Sequence, residues 1–384
     1  RSDLNLALKF LLCLDITMNP LFHDDFSISD SLKFVRKSVL IYETIIVYHV
    51  IYMYNGIETA GVLGPFREGI QYQDLFQYIV YPWFMLLLFV IAGMCSRYYL
   101  ETHTHREFLK SRTVKLLVPS TIGLFVFQWI LGYFNMMISG AWEQMSVVPN
   151  PILYLIMCVS GTGPLWFIQL LWLYSVMLVG IRNMEKDRFY TLCGKANVFV
   201  LLLLTMLVWG AAQILNAPMI VVYRFGIYGV AFLIGYFVLS HETVIEKLKK
   251  AWVPLVIAAG LFMVGFVCIY WQAPYAEHVV LDTFLCNAYA WIATLAIIAF
   301  MSVHGNVDDA ICKFMNQQSW GLYLLHYLPL AASAWYLQDL AINMPPVLVY
   351  LLVALFAFVG AYILNAVIRR VPILRWCVLG MKKK

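Results

Sequence analysis

The chain has 384 residues, of which 62% are hydrophobic and only 12% charged, with a formal net charge of +5. A soluble domain averages about 45–50% apolar and about 25% charged residues, so this composition excludes both a soluble globule and a disordered chain. The modest charge, carried by loops, also excludes nucleic acid as a partner.

In chain order, residues 1–35 do not cross a membrane. The stretch 4–18 is apolar but interrupted by Lys9 and Asp15, and is expected to lie along the cytoplasmic interface as an amphipathic helix. A crossing helix needs about 20 apolar residues. Ten segments answer that description: 39–54, 76–96, 116–137, 165–181, 198–215, 221–239, 253–271, 283–303, 320–337 and 347–368. Between the third and fourth, residues 152–160 form a short apolar run flanked by Pro149, Pro151, Gly161 and Gly163, which reads as a re-entrant segment. With the N-terminus inside, 24 of the 26 Lys and Arg fall on cytoplasmic segments, leaving only Arg67 and Arg224. The expected architecture is therefore an all-α polytopic membrane helix bundle of about ten transmembrane helices, with N- and C-termini cytoplasmic. Residues 1–35 form an interfacial segment, 36–370 the membrane domain and 371–384 a basic tail. The eight Cys show no C-x-x-C spacing and read as buried thiols.

Ionisable groups inside a span are costly and point to function. Four stand out: Glu43 and His49 in the first span, Arg224 in the sixth and His326 in the ninth. A neutral histidine is a competent general base near pH 7, and a desolvated arginine holds anions or oxyanions. Bland readings stand beside these. His49 is either a base or a packing histidine bonded to a backbone carbonyl. His326, between Tyr323 and Tyr327, reads first as a hydrogen-bonded structural group. Arg224 either pairs, with Glu43 as one partner, or snorkels to headgroups. Glu43 and His49, six residues apart, lie about 240° apart around a helix and share no face. The loop after the second span carries Arg106, Lys110, Arg112 and Lys115, suited to the phosphates of a nucleotide-bearing donor or simply to anionic lipid. His103 and His105 lack a third ligand at a metal-site spacing, so no metal is expected.

Several short motifs now fall into an order. They are Phe89-Val-Ile-Ala-Gly93; Phe108-Leu-Lys-Ser-Arg112-Thr-Val-Lys115-Leu-Leu-Val-Pro119; Gly163-Pro-Leu-Trp166-Phe-Ile; Phe232-Leu-Ile-Gly235-Tyr; and Ser319-Trp-Gly-Leu-Tyr323-Leu-Leu-His326. In this order the chain, over roughly residues 35–370, resembles the acyltransferase-3 family of integral membrane O-acyltransferases. The resemblance implies transfer of a short acyl group, acetyl first, from cytoplasmic acyl-CoA to a hydroxyl of an extracytoplasmic or lipid-linked carbohydrate of the cell envelope. It implies a multi-pass protein of the bacterial plasma (inner) membrane, with acyl-CoA as co-substrate and no tightly bound cofactor. It makes His49 the general base, with Arg224 and His326 as further polar partners of catalysis. Arg106, Lys110, Arg112 and Lys115, with Arg36 and Lys37, become donor contacts, and Glu43 and Trp166 substrate contacts. The family pairs its essential histidine with an arginine eleven residues earlier; here that position is Ser38, next to Arg36 and Lys37. A transporter or flippase of a sugar or lipid intermediate, and a catalytically silent member of the same fold, remain alternatives. The other membrane-bound O-acyltransferase fold, which also uses a buried histidine, matches the motif order less well.

Overall fold

The computed structural model describes residues 35–57, 62–66, 70–217, 220–304, 310–341 and 344–381. Side chains are described from residue 44 onward, except 310–316 and 341. The interfacial helix expected over 4–18 lies outside the described residues. No β-strand occurs among the described residues; an isolated antiparallel bridge joins Asn216 to Arg224.

The helices are α1 (Val35–Met53), α2 (Leu75–Thr102), α3 (His105–Ile138), α4 (Asn150–Ser160), α5 (Leu165–Glu185), α6 (Arg188–Cys193), α7 (Val198–Ala212) and α8 (Phe225–Leu239). They continue as α9 (Glu242–Lys250), α10 (Trp252–Tyr270), α11 (Phe284–His304), α12 (Ala310–Leu325), α13 (Tyr327–Ala341), α14 (Pro346–Arg370) and α15 (Pro372–Leu379). Among the described residues six helices are long and apolar enough to cross a bilayer: Tyr72–Thr102, α3, α5, α10, α11 and α14. The count is seven if α8 and α9, bent by 95°, form one broken span. Large apolar side chains such as Phe199, Leu203, Leu261 and Leu351 are exposed on α7, α10 and α14. Water would not tolerate so much apolar surface on one molecule; lipid does. The protein is a multi-pass helical membrane protein.

Each of the ten expected segments falls on a helix or helix pair, but four are shorter than a full crossing. The described part of the first that counts as apolar helix is Thr44–Met53, α7 and α8 run only over Val198–Ala212 and Phe225–Leu239, and the ninth segment is broken at His326 into α12 and α13. The break has a local cause. Pro329 carries no N–H for the Leu325 carbonyl four residues back, and its ring crowds that carbonyl, so the helix resets one turn earlier. Residues 152–160, read as re-entrant, lie within the 11-residue helix α4.

The chain divides into two compact units. Of the described residues, one takes in 35–39, 78–110 and 170–316, and the other 40–77, 111–169 and 317–381. In the first, α2 and α8 cross backbone to backbone. A Cβ on Gly93 would lie 1.9 Å from the Phe232 carbonyl oxygen, and one on Gly235 would lie 2.0 Å from that of Val90. Small residues at such crossings let apolar helices approach where no hydrophobic force joins them in lipid. Tyr289 on α11 donates to the Ile79 carbonyl of α2 (2.6 Å), and Trp291 donates to the Leu201 carbonyl of α7 (2.8 Å). Asn197 caps α7 by accepting from the Val200 N–H.

The bend between α8 and α9 is held by Ser240, whose carbonyl accepts from the Tyr98 hydroxyl at 2.9 Å. Next to it, His241 stacks on Tyr190 and hydrogen-bonds the Tyr190 carbonyl through Nε2 at 2.9 Å. Burial holds the His241 ring below the ordinary histidine value of 6.5. The unfolded chain therefore binds a proton below about pH 6.5 that the folded chain refuses, and stability falls as pH drops through that range. Thermal melts between pH 7.5 and 5.5 should show this slope, flattened in His241→Gln.

In the second unit α3 crosses α4 as closely as α2 crosses α8. A Cβ on Gly132 would lie 1.7 Å from the Met157 carbonyl oxygen, and one on Gly161 1.9 Å from that of Gln128. Helix α3 is interrupted by two π-turns, Thr113–Leu117 and Leu124–Gln128. The first precedes Pro119, whose missing N–H releases the Lys115 carbonyl and loosens the ladder there. The core of this unit is an apolar cluster drawn from α1, α3, α13 and α14, including Ile46, Val50, Met53, Leu131, Leu330, Val353 and Ala357.

Candidate active site

His49 sits on α1 beside this apolar cluster, and His326 at the α12–α13 break; both belong to the second unit. His326 Nδ1 lies 2.8 Å from the Tyr323 carbonyl oxygen and 3.0 Å from that of Leu322. His326 Nε2 lies 3.1 Å from His49 Nδ1. These bonds determine where the protons sit in the neutral pair. A carbonyl oxygen only accepts, so His326 Nδ1 must carry hydrogen, and its Nε2 is then a bare acceptor. His49 Nδ1 must therefore donate, which leaves the lone pair of His49 on Nε2. His326 is fully buried, whereas His49 and the Tyr327 ring packed edge-on against it, at 5.0 Å, are partly exposed. The inner histidine is thus a fixed orienter, and the outer one, which also bonds the Ile45 carbonyl one turn back, keeps its lone pair on Nε2.

Two of the sequence motifs meet at this place. The Tyr323 hydroxyl donates to the Pro164 carbonyl at 2.6 Å, and its ring packs against Phe167. The segment 163–167 is thereby tied to α12, one turn before His326. Trp166 is half-buried and meets the Phe167 ring at 6.4 Å. Replacing Tyr323 by Phe removes one buried hydrogen bond and is expected to cost about 1 kcal/mol, read as a lowered melting temperature.

Arg224 differs from its expected position. The sixth expected span is α8, which begins at Phe225 and not at residue 221, so Arg224 lies at its N-terminal boundary and bridges to Asn216. Its partner is Asp282: Arg224 Nη2 lies 3.1 Å from Asp282 Oδ1 and donates to the Leu281 carbonyl at 3.0 Å. His278 Nδ1 lies 3.1 Å from the other Asp282 oxygen. Asp282, an acid just ahead of α11, is a residue that sequence reading passed over; its signal was an acidic group at an apolar helix start. Arg224 belongs to the first unit.

The basic residues separate by burial. Arg106 and Lys110 are exposed on the first turns of α3, whereas Arg112 and Lys115 are buried. The start of α3 is set by a capping box: Glu107 accepts from the Thr104 N–H at 2.9 Å, and Thr104 Oγ1 accepts from the Glu107 N–H at 3.3 Å. His103 stacks on Tyr99 and bonds its carbonyl. Arg36, Lys37 and Glu43 lie on α1, but their side chains are outside the described residues. No group of three His, Cys, Asp or Glu among the described residues could hold a metal ion. The six described cysteines are free thiols.

Comparisons with curated proteins and with solved structures each returned no match. The family model described as an acyltransferase domain matches residues 44–366, which takes in His49, all five motifs and His326. The chain belongs to the acyltransferase-3 family.

Proposed function

We propose that the protein moves a short acyl group, acetyl first, from cytoplasmic acyl-CoA to a hydroxyl of an extracytoplasmic or lipid-linked carbohydrate, with His49 as general base. The observation that carries this reading is the histidine pair, whose hydrogen bonds leave the His49 Nε2 lone pair free on a partly exposed ring. Nε2 accepts the proton of the acceptor hydroxyl as that oxygen attacks the thioester carbonyl carbon. The tetrahedral adduct collapses, its C–S bond breaks, and the departing CoA thiolate takes the proton back from His49. An ester and free CoA result, with no net proton change at the enzyme.

His326 orients the His49 ring throughout, much as a buried acceptor orients the base in hydrolytic triads. In this reading Arg112 and Lys115, together with Arg106, Lys110, Arg36 and Lys37, are the donor contacts, and Glu43 and Trp166 the acceptor contacts. Arg224 serves one step removed, holding Asp282 and the start of α8. This reading places ten crossings in a bacterial plasma membrane, with both termini and the basic tail in the cytoplasm. The near-complete confinement of Lys and Arg to alternate loops supports that orientation.

The test is release of free CoA thiol from acetyl-CoA by the purified protein in nanodiscs, with a polysaccharide acceptor. Thiol release matched by new ester is expected. Movement of the carbohydrate across the bilayer with no ester formed would replace acyl transfer by transport.

A further inference from the structure

Acyl transfer as read above passes through a tetrahedral adduct whose former carbonyl oxygen carries negative charge. Apolar surroundings make that charge costly, and a fixed donor aimed at it is among the largest contributions an enzyme can make. The histidine pair has no hydrogen left to give. His326 Nδ1–H is spent on two carbonyls and His49 Nδ1–H on His326.

Tyr327 stands beside the pair. It is the first residue of α13, directly past the break at His326. Neighbours on a helix diverge by about 100°, yet both of these side chains close on one imidazole. His326 reaches His49 through Nε2 at 3.1 Å, and the Tyr327 ring packs edge-on against it at 5.0 Å. The two consecutive residues thus bracket the base. The Tyr327 ring also packs against the apolar cluster of α1, α3, α13 and α14, which holds it in place.

What sets Tyr327 apart is its unspent hydroxyl. Buried tyrosines ordinarily satisfy the O–H, and in this protein they do so on backbone carbonyls: Tyr78 on Ala273, Tyr98 on Ser240, Tyr174 on Phe225, Tyr289 on Ile79 and Tyr323 on Pro164. No residue among those described hydrogen-bonds the Tyr327 hydroxyl. The hydroxyls of Tyr54 and Tyr350 also lack partners, but they are buried. The Tyr327 residue is partly exposed, as His49 is. A phenol kept for packing alone gains nothing from an oxygen with no partner, since phenylalanine fills the same place.

We propose that Tyr327 is a catalytic residue that donates its O–H to the oxyanion of the tetrahedral adduct. The role rests on the acyl-transfer reading. As His49 Nε2 takes the proton of the attacking hydroxyl, the new C–O bond forms and the carbonyl electron pair moves onto oxygen. Tyr327 hydrogen-bonds that oxygen and keeps its own proton. The pair returns as the C–S bond breaks, and the thiolate recovers the proton from His49.

The test is Tyr327→Phe in the full chain in nanodiscs, which removes one oxygen and keeps the ring against His49. Thiol release from acetyl-CoA, with water or dextran taking the acetyl group, is expected to fall about 10²–10³-fold in kcat, the loss typical of removing one oxyanion donor. KM for acetyl-CoA, the melting temperature and the nitrogen-15 spectrum of His49 should stay as in wild type. Turnover of Tyr327→Phe at the wild-type rate, with His49→Ala inactive, would overturn the proposal and leave acyl transfer intact. A slow variant with a disturbed His49 tautomer or a lowered melting temperature would make Tyr327 a packing residue, which also overturns it. Wild type that releases no thiol would withdraw the acyl-CoA reading and this role with it.

Discussion

Replacing His49 by alanine is expected to lower acyl transfer by about 10²–10⁴-fold, the usual contribution of a positioned general base, while leaving the protein folded. The residue is partly exposed and sits on a helix whose packing is carried by Ile46, Val50 and Met53, so its removal opens little of the core. His326 offers the more discriminating comparison. Its Nδ1 is held by two carbonyl oxygens and its Nε2 accepts from His49. His326→Phe keeps the volume but removes the acceptor, so His49 loses the bond that fixes its tautomer and ring angle. His326→Gln restores an oxygen near the Nε2 position. The expected order of rates is wild type, then Gln, then Phe, with His49→Ala lowest. Nitrogen-15 spectra of labelled histidine should show a protonated Nδ1 and a bare Nε2 on His49 in wild type, a pattern absent from His326→Phe. A well-folded His49→Ala protein that still forms ester at the wild-type rate would end the assignment.

Gly93→Val is expected to prevent recovery of folded protein altogether. The α2–α8 crossing is reciprocal: Gly93 faces the Phe232 carbonyl and Gly235 faces the Val90 carbonyl, each closer than any Cβ permits. The blocking atoms are backbone, which cannot rotate aside, so the helices must separate along the whole crossing. Overpacking of flexible cores costs about 1–3 kcal/mol, and this rigid case should exceed that against a total stability of about 5–15 kcal/mol. Gly235→Val should fail in the same way. Gly260 and Gly265 on α10 supply the control, since nothing lies within 4 Å of a Cβ at either. Alanine there should be neutral or stabilising by up to about 1 kcal/mol, from helix propensity alone. Yield and monodispersity after size-exclusion chromatography separate the two classes.

Much of the helical layout was legible because hydropathy is a local property: each expected segment coincides with helix. What hydropathy could not register is where a helix breaks within an apolar run. The sequence 320–337 stays apolar through Pro329, so the reset at His326 was hidden by composition although the proline itself was in view. The same reading carries α8 back over Arg224, because Val221 and Val222 are apolar whether or not they are helical. The π-turns of α3 each insert a residue and turn everything beyond them by about 100°. No helical wheel drawn from the sequence would then place both Lys115 and Trp129 correctly. The histidine pair lay beyond sequence reading for a different reason: its members are 277 residues apart, and only packing brings them together. Treating His326 as a hydrogen-bonded structural group was correct about its Nδ1 and silent about its Nε2.

The glycines at the α2–α8 crossing carry a consequence for how kinship is recognised in such chains. Gly93 and Gly235 sit at the heart of two of the motifs by which the family is known, yet what they record is the closeness of two helices. A lineage that abandoned catalysis by losing His49 would still need both glycines to fold, and would carry the signature undiminished. Kinship read from those motifs is inheritance of a scaffold, and the proposed chemistry would descend separately, through the two imidazoles of the second unit.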